Sequence, residues 1–186
     1  MKQRGWVKWT GVGGTTAHEM AKVIDTGVFD VVQTAFNYSL LWQEARYEIF
    51  PTAKKHDIGI ICSAPLQQGS LAVRRDELIE NGAPWISKPR REQFKALYSF
   101  LDEIGMSIVE LSLRFVLSNP DIDCVLVGAK NLKEITETVA YSEKGPLSED
   151  ILKRIEEIYM MVPFRPTLEP ILLPWGDTRP DIGWIV

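Results

Sequence analysis

Four short apolar runs rich in branched or aromatic residues punctuate the chain, at residues 6–12, 28–34, 58–62 and 123–127. Each is bounded by glycine, proline or other turn formers, the pattern of buried strands. The stretches between them carry helical apolar spacing. Together they predict repeated strand-helix units around a parallel sheet rather than a sandwich of hairpins.

Helix starts are written into the polar positions. Ser107 followed by Glu110 forms a capping box, in which the serine oxygen and the glutamate each satisfy a backbone donor of the other residue. The helix it opens is expected over 107–118. Asn119-Pro120 ends it, because proline brings no amide hydrogen and disfavours helical geometry in the residue before it. Asn131 with Glu134 repeats the signature after the fourth strand, and Ser148-Glu149-Asp150 opens an amphipathic run through Ile155 and Ile158. Residues 67–90 hold Gly69, Gly82, Pro84 and Pro89, and read as a long loop with helical character only at 76–80. From residue 163 to 186, five prolines and the aromatic Trp175 and Trp184 predict an irregular tail packed over one face of a domain formed by residues 1–162.

Composition narrows the class. The 186 residues are 45% hydrophobic and 25% charged, and 21 Lys and Arg against 25 Asp and Glu leave a net charge of −4. No basic run exceeds a pair, which excludes a nucleic-acid footprint. The apolar runs are far shorter than the roughly 20 residues a membrane helix needs. Cys62 and Cys124 sit inside apolar stretches and read as buried free thiols of a cytoplasmic protein. His18, His56 and the two cysteines have no metal-ligand spacing. A complete eight-unit barrel takes about 250 residues. Strand-like sequence begins at Trp6, so the expected fold is α/β of the (β/α) TIM-barrel type, a partial barrel of four strand-helix units.

The residues at the strand ends carry a resemblance. Trp9-Thr10-Gly11-Val12-Gly13-Gly14 resembles the fifth barrel strand and following turn of the aldo/keto reductase family. The segment 30–41, containing Gln33-Thr34-Ala35-Phe36-Asn37, is similar to its sixth strand. Ile60-Ile61-Cys62-Ser63-Ala64-Pro65-Leu66-Gln67-Gln68-Gly69 resembles the seventh strand and the loop that wraps the cofactor pyrophosphate. Arg114 to Pro120, then Val125-Leu126-Val127-Gly128-Ala129, resembles the seventh helix and eighth strand. The match runs in order over residues 7–139, the second half of such a barrel.

The resemblance implies an NAD(P)-dependent carbonyl reductase or alcohol dehydrogenase, acting on a small carbonyl or sugar-like substrate, with this chain supplying the cofactor-binding half. It assigns Gln33 to the nicotinamide carboxamide and Pro65, Leu66 and Gly69 to the pyrophosphate loop. It places Gly128 and Ala129 before a helix whose amino terminus suits a phosphate, and retains Glu137 on that helix. The cofactor is NADP or NAD. In the family a tyrosine general acid works with lysine, aspartate and histidine from the first half of the barrel, so no catalytic residue carries over. Three departures stand out. Gly13 and Gly14 occupy the turn where serine and asparagine clamp the carboxamide. Ser63 replaces a stacking aromatic. Glu134 replaces a basic or amide residue near the adenosine phosphate, which favours NAD, while Lys130 and Lys133 pull toward NADP.

Two alternatives remain at this point. A stand-alone half barrel has two open sheet edges and an exposed interior face, and could form a homodimer that binds nucleotide or a partner without redox catalysis. A poorly folded remnant is opposed by the agreement of caps, turns and patterning.

Overall fold

The computed structural model describes residues 1–166 and 169–171. The element order is β1 (Gly11–Gly14), α1 (Ala17–Ile24), β2 (Val31–Ala35), α2 (Ile49–Lys55), β3 (Gly59–Ser63), α3 (Asp76–Asn81), α4 (Lys88–Ile104), α5 (Ile108–Leu117), β4 (Cys124–Leu126), α6 (Leu132–Glu143) and α7 (Glu149–Tyr159). The strands form one sheet in the order β1-β2-β3-β4, and every pairing is parallel. This is the expected α/β arrangement, four consecutive strands of a partial (β/α) barrel.

Side chains alternate across a strand, so register decides which residues share a face. Val32 and Thr34 of β2 and Ile60 and Cys62 of β3 are buried under helices. Val32, Ile60 and Cys62 join a core with Ile24 of α1, Ile49 and Phe50 of α2, Leu97 and Leu101 of α4, and Leu111 and Val116 of α5. Burial there pushes the Cys62 thiol up to about 12. Among the described residues no helix covers the opposite face. Register aligns Gly13, Gln33, Ile61 and Cys124 in one row and Ala35, Ser63 and Leu126 in the next. Gly13, Gln33, Cys124 and Leu126 are all exposed. Cys124 is therefore not the buried thiol its apolar surroundings suggested, because the described residues cover only one side of its strand.

Strand edges differ from the sequence reading for a physical reason. The first run pairs only from Gly11, because the Asp30 carboxylate takes the Thr10 amide at 2.7 Å and ends the ladder there. Trp6 and Trp9 thus lie outside the strand and are exposed. Gly13 and Gly14 belong to β1 itself, not to the turn after it. A Cβ on Gly14 would stand 2.6 Å from Met20 Sδ, so a larger residue there would require the Met20 side chain of α1 to move.

The caps also resolve individually. Ser107 Oγ accepts from the Glu110 amide at 3.1 Å, but Glu110 turns its carboxylate to Arg114 and Lys144 at 3.0 and 2.8 Å. Half of the capping box is realised. The region 67–90 contains more helix than expected, since α4 already begins at Lys88. Ser87 caps it and Pro89 falls in its first turn, where a missing amide hydrogen costs nothing. Trp175 and Trp184 lie outside the described residues. Nearer in the tail, Glu169 is buried and meets Trp42 and Arg90.

Candidate functional site

Parallel strands bring their carboxyl ends to one edge of the sheet, and in such folds ligands bind there. Gln33 stands near that edge on the bare face of β2. Its neighbour across β1 is Gly13, whose missing side chain leaves open surface beside it; a Cβ there would lie 3.5 Å from Gln33 Cβ. Gln33 Nε2 donates to Ser63 Oγ at 3.3 Å, and Ser63 Oγ donates to the Thr34 carbonyl at 3.2 Å. Gln33 Oε1 has no hydrogen-bond partner among the described residues.

The loop after β3 begins at Ala64. Pro65 is buried and Leu66 half-buried, so these two fix the loop more than they face a ligand. The one-turn helix Gln67–Gly69 follows. Ala64, Gln67 and Gln68 all have positive φ, as does Phe36 at the exit of β2. A non-glycine residue in the left-handed region costs on the order of 1 kcal/mol or more, and such strain gathers at ligand-binding sites. Gly69, at φ 96°, has nothing within 4 Å of where a Cβ would stand, so its backbone is open to close approach.

One backbone atom holds these loops together. The Phe36 carbonyl accepts from Gln67 Nε2 at 3.0 Å and from Arg165 Nη2 at 3.1 Å. Gln67 also donates to Ser39 Oγ at 2.9 Å, while its Oε1 is buried without a partner among the described residues. Arg165 also pairs with Glu44 at 3.2 Å. Burial drives the two in opposite directions, raising the Glu44 carboxyl and lowering the Arg165 guanidinium from their ordinary values. Sequence reasoning missed this hub, because Phe36, Gln67 and Arg165 share no local motif.

Gly128 and Ala129 follow β4 after Val127 and are exposed. Asn131 caps α6 by accepting from the Glu134 amide at 2.9 Å. The Glu134 carboxylate folds back over this start, accepting from the Lys130 amide at 2.7 Å and Asn131 Nδ2 at 3.1 Å. Glu137 sits further along α6, half-exposed, with Lys133 at 3.8 Å. The structure therefore joins Gln33, Ser63 and the loop 64–69 at one end of the sheet, with Gly128 and Ala129 at that same end. Glu137 stands apart on its helix.

Among the described residues there is no cluster able to hold a metal ion. His18 pairs with Glu48 at 2.6 Å and His56 with Asp25 at 2.9 Å, both on the outer helical layer.

Comparison with known proteins decides the family. The family model described as aldo/keto reductase family matches residues 1–160. The chain belongs to the aldo/keto reductase family. Among relatives, L-galactose dehydrogenase of Arabidopsis thaliana is 26% identical over 85% of this chain and 50% of its own length. The Bacillus subtilis protein named uncharacterized oxidoreductase YrpG is 24% identical, over 69% of this chain and 40% of its own. The apo form of aldo-keto reductase AKR11C1 from Bacillus halodurans superposes with a TM-score of 0.69 at 18% identity, covering 91% of this chain and 56% of that one. The chain thus spans about half the length of the curated relatives it matches. In aldo/keto reductase terms its bare sheet face is the interior of a barrel.

Proposed function

We propose that this chain is the dinucleotide-binding half of an NAD(P)-dependent aldo/keto reductase that interconverts a small carbonyl or sugar-like compound and its alcohol. One observation carries the reading: an amide acceptor, a strained loop and a small-residue turn before a capped helix converge on one end of a parallel sheet. The donor set fits a nicotinamide dinucleotide. Gln33 Oε1 accepts from the carboxamide beside the flat surface left by Gly13. Backbone from Ala64 to Gly69 meets the pyrophosphate, and the small Gly128-Ala129 turn lets the adenosine ribose approach the start of α6, where Glu134 stands. When bound, the dinucleotide supplies or takes up the hydride.

The residues present hold and orient; they do not supply the acid. None of the five tyrosines lies on the bare face: Tyr38 and Tyr47 are in the loop after β2, and Tyr98, Tyr141 and Tyr159 are on helices. Burial pushes the Tyr38 hydroxyl up to about 12, and it sits between Phe50 and Phe115. On this reading the proton donor is none of these five tyrosines.

Glu134 supports NAD over NADP. Its carboxylate occupies the start of α6, where a 2′-phosphate would meet like charge, whereas a free 2′-hydroxyl could donate to it. Calorimetric titration of the chain with NAD and with NADP tests both points. The reading expects binding of NAD, weaker binding of NADP, and a gain for NADP in Glu134→Gln. Failure to bind either dinucleotide would overturn it.

The open edges favour a second reading. β1 and β4 are both edge strands, all strands run parallel, and two copies supply the eight that close a parallel barrel. A two-fold axis along the barrel would pair β4 of each copy with β1 of the other. Leu132, Ile135 and Val139 of α6, all exposed, would find cover in that arrangement.

A further inference from the structure

The bond network around Gln33 fixes more than its position. A primary amide offers an oxygen acceptor on one side and two N–H donors on the other, and rotation by half a turn exchanges them. Which side faces a ligand decides what the ligand must bring. Gln33 itself is exposed and could turn either way.

We propose that Ser63 is a positioning residue that locks the Gln33 amide with its oxygen toward the cofactor and so selects a carboxamide. The polarity is set from the backbone. The Thr34 carbonyl belongs to a fully buried residue and accepts the Ser63 hydroxyl proton at 3.2 Å. A hydroxyl has a single proton, so Ser63 meets Gln33 with a lone pair only. Gln33 must then present Nε2 to it, as the 3.3 Å contact shows. Turning the amide over would set two acceptors against each other, or strip the buried Thr34 carbonyl of this donor. Oε1 is thereby left for an N–H donor. A nicotinamide has one; a nicotinic acid ring, with a carboxylate at the same place, does not. The position the family resemblance marked as a lost stacking aromatic becomes the element that reads the carboxamide.

This inference rests on the dinucleotide reading above. Its test is calorimetric titration of the full chain with NAD and with its nicotinic acid analogue. The parent should prefer NAD by about tenfold, as one acceptor is set against a carboxylate. Ser63→Ala frees the amide to rotate and should narrow the preference to about twofold, mostly by improving the acid analogue. Ser63→Thr, which keeps the hydroxyl, should retain the parent preference. Ser63→Cys, a weak acceptor of similar size, gives a second narrowing variant should Ser63→Ala fail to fold. An unchanged preference in the folded variants, or an equal loss for both ligands, would overturn the positioning role and leave the dinucleotide reading intact. If the parent binds neither compound, the dinucleotide reading itself falls, and this inference with it.

Discussion

Arg90 and Glu169 face each other across 79 residues of sequence in a two-point ion pair, Nε to Oε2 at 2.8 Å and Nη2 to Oε1 at 3.1 Å. Neither is open to solvent: their side chains are 0% and 3% exposed. The pair is well furnished. Trp42 Nε1 donates to Glu169 Oε1 at 2.6 Å, Arg90 also reaches the Leu41 carbonyl and Gln93, and both Arg90 and Arg165 lie over the Trp42 ring at 4.7 and 5.3 Å. This knot ties the chain after α7 to α4 and to the loop leaving β2, the loop that begins beside Gln33.

Breaking one side of a buried pair leaves an uncompensated charge, a loss of about 3–5 kcal/mol. Glu169→Ala should lower unfolding stability by that amount in urea titration. Glu169→Ala combined with Arg90→Met should cost less than the sum of the two single changes, because the second removes the stranded charge. Additive effects would show that the pair is not coupled.

A second prediction concerns acid. Hydrogen bonds from Lys2 and the Thr10 amide hold the Asp30 carboxyl below the ordinary aspartate value of 3.8. A depressed folded pKa contributes stability above the unfolded value and loses it as pH falls through the folded one. Asp30→Asn should therefore melt earlier than the parent at neutral pH. The two melting curves should converge as pH drops below 3.8. A gap that persists into strong acid would assign the effect to packing instead.

Caps give a third. Ser107→Ala removes the acceptor for the Glu110 amide and should cost about 1 kcal/mol. Glu110→Gln keeps this cap but weakens the ties to Arg114 and Lys144, so the two changes should separate by salt dependence, with only the second relieved by screening.

How much of this was legible beforehand follows from range. Strand order, the caps at Ser107 and Asn131 and the stop at Pro120 are local signals, and all are present. The strand edge at Gly11 is set by Asp30, whose carboxylate reaches 20 residues back. The glycine pair after Val12 looked like a turn because nothing in the sequence announces Met20 packed against Gly14. Family resemblance singles out Gln33, whereas at Ser63 it reports only a missing ring, and the hydroxyl in contact with Gln33 has no signal of its own. The role proposed for it depends on a register between β2 and β3 that no single segment encodes. The bare face explains the exposed Cys124 in the same way.

Oligomeric state separates the two functional readings. If two copies close a barrel, sedimentation equilibrium at micromolar concentration should return roughly twice the 21.1 kDa of one chain, and Leu132→Glu with Ile135→Glu should return the monomer. A monomer at all concentrations would remove the two-copy barrel and leave the bare face to a different partner.

The most direct test of the central claim is NAD titration of the parent chain and of Gln33→Ala, read calorimetrically beside their melting temperatures. The dinucleotide reading predicts that the parent binds and that Gln33→Ala, equally stable, binds about fivefold more weakly, the loss of one hydrogen bond worth ~1 kcal/mol. A parent chain that binds no dinucleotide, or a Gln33→Ala variant that binds as well as the parent, would contradict it.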